Sequence, residues 1–374
     1  MKNWNQLFIR HGWNVNQLNE NEFSCHEETK ENIKFLQESL CVAGLDFSFN
    51  SFVLTINSDL VSEEKWIEAV DFEYRGRGEG LWFRPGVDQP KVRELDTYIS
   101  GIVRQLNRLG FNTTGSCDGH EKRSAYVLLK RETTNIEKLV SVLVALGQKR
   151  VSYRESRQHY HVNLPLSRNE LLDLAENLSV IELEWGDKGI ENIKNQLFNL
   201  SLEELLSIPG ESGNEDKIRD YVKQRLTPLV DYITEDRHGN LIAERRYRTG
   251  NGPTILLNAH LDTVESIHLG RHIIKDGNIW TSSSGILGAD DRAGVAVVLH
   301  MAEYLNHSTL YKLTSLNLPQ HPSQFSTSIN PRQPRCEYRC FRRLCISSCL
   351  VLQLRLLFRK MLRMLCYKMK CILR

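Results

Sequence analysis

Hydrophobic and polar positions along the chain change period several times, and each change marks an element. Residues 28–42 carry apolar side chains at helical spacing, and FSFNSFVLTIN after them alternates as a strand does. Helical spacing returns over Val92–Leu109 and stops at Gly110, a common helix terminator. A strand is predicted at Phe111–Thr114, a second in SAYVLLKR, a helix over Ile136–Leu146 closed by Gly147, a hairpin from RVSYRES and HYHVNLP, and a helix in SRNELLDLAENL. Short strands with two or three helices predict an α+β sandwich of the ferredoxin-like kind.

The grammar then changes. EWGDKG at 184–189 reads as a linker, followed by an amphipathic helix over Ile193–Leu206. PGESGNEDKIRDYVKQRL is a turn leading into a helix with Glu215 and Asp216 in its first turn, where negative charge suits the positive helix end. YITEDRHGNLIAER predicts a hairpin, TILLNAHLDTV a buried strand with a polar tip, and VAVVLHMAEYL a helix. Strand, polar tip, loop and helix predict an α/β domain with its site at the carboxyl ends of the strands. The expected organisation is a small α/β segment over 1–60, an α+β sandwich over 61–185, an α/β domain over 190–307 and a separate tail over 308–374.

Length and composition narrow this picture. A chain of 374 residues suits two or three domains. Usage of 41% hydrophobic and 25% charged residues, with no 18-residue apolar run, argues against a membrane-spanning protein. The start MKNWNQLFIRHGWNVN lacks a secretory apolar core, so a cytoplasmic protein is expected, with Cys25, Cys41 and Cys117 reduced. The net charge of +2 conceals an asymmetry: residues 308–374 hold 13 Lys/Arg against the single acid Glu337, while the preceding residues hold 35 basic and 45 acidic side chains. Six of the nine cysteines also fall in that tail. A joint jump in charge, cysteine content and periodicity suggests, as a hypothesis, a shifted reading frame and a poorly ordered tail; a gene with no Glu-Glu-bearing continuation in another frame past codon 307 would refute it. Taken at face value, VLQLRLLFRKMLRMLCYKMKCILR would be a basic amphipathic helix for an anionic surface.

Candidate chemistry concentrates in AHLDTV and GILGADDRAG. A strand repeats every two residues, so His260 and Asp262 face one side. Imidazole is a natural zinc ligand, and an adjacent carboxylate can orient the ring. Asp290 arrives on a loop in which Gly288 and Gly294 permit a tight path, and one carboxylate can bridge two metal ions. Through SIPGESGNEDKIRDYV, DRHGNLIA, NAHLDTV and IIKDGNIWTSSSGILGADDRAGVAVVLHMAEYL the chain resembles the M20 family of zinc metallopeptidases, in its peptidase T-like tripeptidase branch. The resemblance implies an incomplete α/β zinc-peptidase fold and two zinc ions, with His260 ligating one, Asp290 bridging both and Asp262 steadying His260 as part of the catalytic set. It also implies a cis peptide between Asp290 and Asp291, short peptides as substrates, and a dimerising lid domain that this chain lacks. The family's Glu-Glu pair, one of them the general base, and its later ligands have no counterpart after His307. Little or no activity is therefore expected. The alternative is a non-catalytic binding or regulatory protein acting through residues 61–185.

Weaker signals lie in that region. Cys117 and His120 in TTGSCDGHEKRSAYVLL, with His159 and His161 in HYH, could form a metal or thiol site. With no second half of a zinc motif fixed by spacing, a polar turn and a solvated strand face are the favoured reading. The tail cysteines Cys336, Cys340, Cys345 and Cys349 fit zinc-knuckle spacing poorly. Arg75, Arg77 and Arg84 lie among Tyr74, Trp82 and Phe83, an arrangement able to stack on nucleic acid, but the acidic body argues against a nucleic-acid partner. No membrane partner is expected for the body either.

Overall fold

The computed structural model of the chain describes residues 3–73, 75–76, 84, 87–149, 151–246, 254–268, 270–308 and 349–355. Two units divide the chain, residues 1–196 and 197–374. Both mix helices with small sheets, an α/β composition overall.

The first unit opens with α1 (Trp4–Arg10), β1 (Asn16–Gln17), β2 (Glu22–Ser24), α2 (Lys30–Val42), β3 (Phe47–Asn50), β4 (Val53–Ile56) and α3 (Glu63–Val70). Asn3, Thr29 and Ser62 cap its helices, each side chain accepting from the backbone N–H three residues on. The sheet runs β1-β2-β4-β3, antiparallel throughout. Trp66 on α3 lies edge-on to Phe8 and Trp13, at 5.7 and 5.8 Å between ring centroids. This core therefore runs past residue 60.

The predicted single strand FSFNSFVLTIN is instead a hairpin, β3 and β4, reversing at Ser51 (φ 48°) and Phe52 (φ 66°). Two successive left-handed residues make a tight turn whose sequence signature is Asn-Gly or Asp-Gly, and Ser-Phe conceals it. The helix expected over Val92–Leu109 also divides. Val92–Glu94 form one 3₁₀ turn, Leu95 is extended, and α4 (Ser100–Arg108) starts only afterwards.

From α4 the element order of the first half repeats: β5 (Thr113–Cys117), β6 (Ala125–Lys130), α5 (Ile136–Ala145), β7 (Ser152–Glu155), β8 (His159–Leu164) and α6 (Arg168–Ser179). The second sheet runs β5-β6-β8-β7, again antiparallel. Unit 1 thus holds two copies of an αββαββα arrangement, where a ferredoxin-like domain would run βαββαβ. Helical and alternating periods identify the elements but not this connectivity. EWGDKG, expected as a linker, belongs to a 3₁₀ helix over Leu183–Lys188, which Lys138 holds through Leu183 O and Asp187.

A buried ion pair joins the copies. Arg104 on α4 donates from Nη2 to both oxygens of Glu28, at 2.7 and 2.8 Å, and from Nε to Gly12 O; both side chains are sealed from solvent. Glu28 also accepts from Asn14 N and Asn32 Nδ2. Such a pair survives burial because every charge is satisfied.

The second unit begins within α7 (Ile190–Ser207) and continues with α8 (Asp216–Leu226), β9 (Tyr232–Glu235), β10 (Leu241–Arg246), β11 (Thr254–His260), β12 (Ile273–Asp276), β13 (Ile279–Ser282) and α9 (Ala289–Ser308). β9 and β10 form the expected hairpin, and β12 and β13 another. β11 is half-buried rather than wholly buried: Ala259 is sealed while Leu256 and Asn258 are exposed. Its inner face meets Val295, Val298, Leu299 and Ala302 of α9 in the unit's core.

Within the tail, Cys349–Arg355 form β14, parallel to β10 and antiparallel to β11 in the order β11-β14-β10-β9. The amphipathic helix expected from Val351 onward is thus a strand as far as Arg355, and its remainder lies outside the described residues. Facing backbone edges of β10 and β11 require hydrogen-bonding partners, which an extended segment supplies. Among the described residues no helix is long and apolar enough to cross a membrane.

Replacing Glu28 with Ala should strand the Arg104 charge in the core and cost about 3–5 kcal/mol in urea unfolding. A loss below about 1 kcal/mol would show that water or another acid takes its place.

Candidate metal centre

The alternation of β11 that turns Ala259 inward leaves His260 half-exposed at the strand's carboxyl end. Two residues on, Asp262 is buried. Its Oδ1 stands 3.0 Å from His260 Nδ1, and its Oδ2 accepts a 2.6 Å hydrogen bond from Ser212 Oγ. Ser212 is held by the loop before α8, where Thr263 N donates to Gly210 O and Ser212 N donates to Thr263 O. Arg292, wholly buried, donates to Ile208 O, and its charge opposes that of Asp262. Burial pulls its pKa down to about 10, so the guanidinium remains charged at neutral pH.

On the other side of the ring, Asp290 Oδ1 lies 3.2 Å from His260 Nε2, with the Asp290 side chain almost fully exposed. The Asp290-Asp291 peptide is cis, and both residues depart from helical geometry before α9 becomes regular. Gly294 N donates to Asp291 Oδ1 at 3.1 Å, and a Cβ at Gly294 would overlap that carboxylate. Gly288 takes φ +74°, with Thr263 packed beside it.

These contacts separate the predicted residues. Asp262 faces Nδ1 while Asp290 faces Nε2, so only His260 Nε2 and Asp290 converge on one place. The tautomer that donates Nδ1–H to Asp262 leaves Nε2 and Asp290 Oδ1 facing each other as two electron-pair donors. A proton or a metal cation between them resolves that opposition, so this donor set fits a divalent metal.

The residue pattern meets independent support here. Residues 240–318 match the model of Peptidase family M28. The chain is 37% identical over 71 residues to a protein of Acetivibrio thermocellus named "Putative aminopeptidase", covering 19% of this chain and 20% of that one. It is 29% identical over 115 residues to "Uncharacterized protein YqjE" of Bacillus subtilis, covering 29% and 31%. It is 27% identical over 131 residues to "DIS3-like exonuclease 2" of Schizosaccharomyces pombe, covering 31% and 13%. The chain thus spans less than a third of the length of these curated relatives. No solved structure matches.

Its second unit carries a metallopeptidase-like sequence.

The matching model is M28 where the residue pattern resembles M20, and a zinc-type peptidase is the common ground. Within this peptidase-like unit, sequence reasoning missed Ser212 and Arg292. The only sequence trace of Ser212 is its position in PGESGN ahead of a helix, and nothing in GADDRAG sets Arg292 apart. Elsewhere, Cys117 and His120 gather with Asp96 and Asp118, not with His159 and His161. Those two histidines lie on β8, where His161 stacks on Tyr126 at 4.6 Å. Of the aromatic-basic stretch, Arg75 is buried on Val70 O, Val92 O and Thr97 Oγ1, and Arg84 pairs with Asp88; Tyr74, Arg77, Trp82 and Phe83 lie outside the described residues.

Burial opposes charge on His260, but the hydrogen bond that protonated Nε2 donates to Asp290 and the charges of Asp262, Asp291 and Asp290 outweigh it and raise its pKa. Burial also raises Asp291, against the pull of His260. In metal-free protein, NMR titration should place His260 above its ordinary 6.5, and Asp262→Asn should bring it down; a midpoint below that value would contradict the geometry. Protonation competes with metal, so affinity should fall as pH drops through the raised value. Gly294→Ala should cost about 1–3 kcal/mol by thermal or urea unfolding, because Asp291 must move.

Proposed function

We propose that the second unit is the metal-holding half of a zinc peptidase centre related to the M20 tripeptidases, with His260 and Asp290 as ligands and Asp262 as the residue that orients His260. The facing of Nε2 and Asp290 Oδ1 at 3.2 Å carries this reading, since two lone pairs so placed call for a cation. Zinc bound there would supply Lewis acidity toward a peptide carbonyl or a water. The chain's own residues divide the remaining work. Asp262 fixes the imidazole tautomer, Ser212 fixes Asp262, and Arg292 offsets the buried negative charge behind them. Exposed Asp290 keeps a free carboxylate oxygen toward solvent, where a short peptide can approach.

A catalytic zinc site generally uses three protein ligands, and two converge here among the described residues. Little or no hydrolysis is accordingly proposed for the chain itself, which would bind zinc without turning over peptide. With Cys117→Ser in place to silence the cysteine-containing cluster of the first unit, the full chain should take up zinc, with affinity falling about 10–100-fold or more when His260→Ala or Asp290→Asn is added. Tripeptide hydrolysis by the wild type should not exceed that of His260→Ala. Zinc-dependent cleavage that disappears in His260→Ala would overturn the half-site reading, and unchanged zinc affinity in both variants would overturn the ligand assignment.

A further inference from the structure

The first unit contains a second gathering of ligand-type side chains that the peptidase reading does not use. Asp96 lies at the turn before α4, Cys117 ends β5, and Asp118 and His120 lie in the 3₁₀ turn leading toward β6. One ligand atom from each lies within 4.8 Å of all the others. Asp118 N donates to Asp96 Oδ2 at 3.0 Å, and His120 N donates to Asp118 Oδ1 at 2.9 Å. The His120 ring places Nδ1 3.2 Å from Asp118 Oδ1 and Nε2 3.9 Å from Asp96 Oδ2.

Three observations make this more than a polar turn. Asp96, Cys117 and Asp118 are all buried, so two carboxylates and a thiol share one pocket away from water. Buried Arg75, whose charge acts on both carboxylates, spends its terminal nitrogens on Val70 O, Val92 O and Thr97 Oγ1 and makes no hydrogen bond to either carboxylate among the described contacts. Asp96 Oδ1 is sealed from solvent with no hydrogen-bond partner, a deficit that destabilises a buried charge unless something fills it.

We infer that Asp96, Cys117, Asp118 and His120 form a divalent transition-metal site, independent of the peptidase-like unit and best suited to zinc. A thiolate with an imidazole selects zinc over magnesium or calcium, whose sites are built from oxygen. Tetrahedral zinc holds its donors about 3.3–3.8 Å apart, so the present spread closes by about 1 Å through side-chain rotation. His120 is half-exposed while the other three are buried, so the site opens on one side only. The ion pair of Glu121 with Arg168, at 2.8 Å, holds the turn carrying His120 against α6.

Cobalt reports this site apart from the peptidase-like one, because a thiolate ligand produces a near-ultraviolet charge-transfer band that imidazole and carboxylate do not. Titrated with Co²⁺ under reducing conditions, the full chain should develop such a band and lose it on adding zinc. Cys117→Ser should remove the band. Asp96→Asn and His120→Ala should raise the cobalt concentration needed to develop the band about 10–100-fold or more, and His260→Ala, which removes a ligand of the peptidase-like centre, should leave the band itself intact. His120 is half-exposed, so its variant tests the ligand without emptying the core, and far-ultraviolet circular dichroism checks each fold. No band, a band indifferent to Cys117→Ser, or one that depends on His260 would overturn the assignment.

Discussion

Packing of α9 across the inner face of β11 is the constraint on which the second unit's chemistry rests. Ala259 and Leu261 point inward with partly buried Ile255 and Leu257, against Val295, Val298, Leu299 and Ala302. Each large apolar side chain buried this way contributes roughly 1.5–3 kcal/mol. Together they hold the strand in one register, because a slip of one residue would exchange its inner and outer faces. His260 is thereby fixed at the strand's end, and the start of α9 brings Asp290 to its outer nitrogen.

The three acids around His260 are one residue type in three environments. Asp262 is buried, partnered by Ser212 and His260 and opposed by the charge of Arg292. Asp290 stands in solvent, able to exchange its contact with the ring for a metal. Asp291 turns back to accept from Gly294 N at the head of the helix, where the backbone dipoles favour negative charge. Position relative to strand tip and helix end assigns these tasks.

The first unit shows the same principle through repetition. Its halves share element order and strand order, yet differ in the first hairpin connection. Between β1 and β2 the chain reads LNEN, a polar turn, whereas β5 ends in Cys117 and passes through Asp118 and His120 toward β6. The break between Glu94 and Ser100 in the predicted helix frees Asp96 to join them. A departure from local helical preference accompanies the cluster, as expected where function competes with regular structure.

Sequence alone located most elements, because helical and alternating periods reflect burial on one face, and its motifs pointed to His260, Asp262, Asp290 and Asp291 as the candidate set. It also separated Asp262 from Asp290, through a resemblance that gave them different tasks. It did not reveal the Ser51-Phe52 turn, the strand at Cys349–Arg355 or the doubled αββαββα topology, since turn conformation and strand pairing depend on partners distant in the chain. Ser212 and Arg292 were hidden for the same reason: one becomes an orienting donor only when the loop before α8 meets Thr263, and the other is buried only after α9 packs. The cluster around Cys117 shows the limit most clearly. Cys117 and His120 are neighbours in sequence, but the buried Asp96 that completes their charge arrives from 21 residues before Cys117. Its approach depends on tertiary packing, which no local pattern encodes.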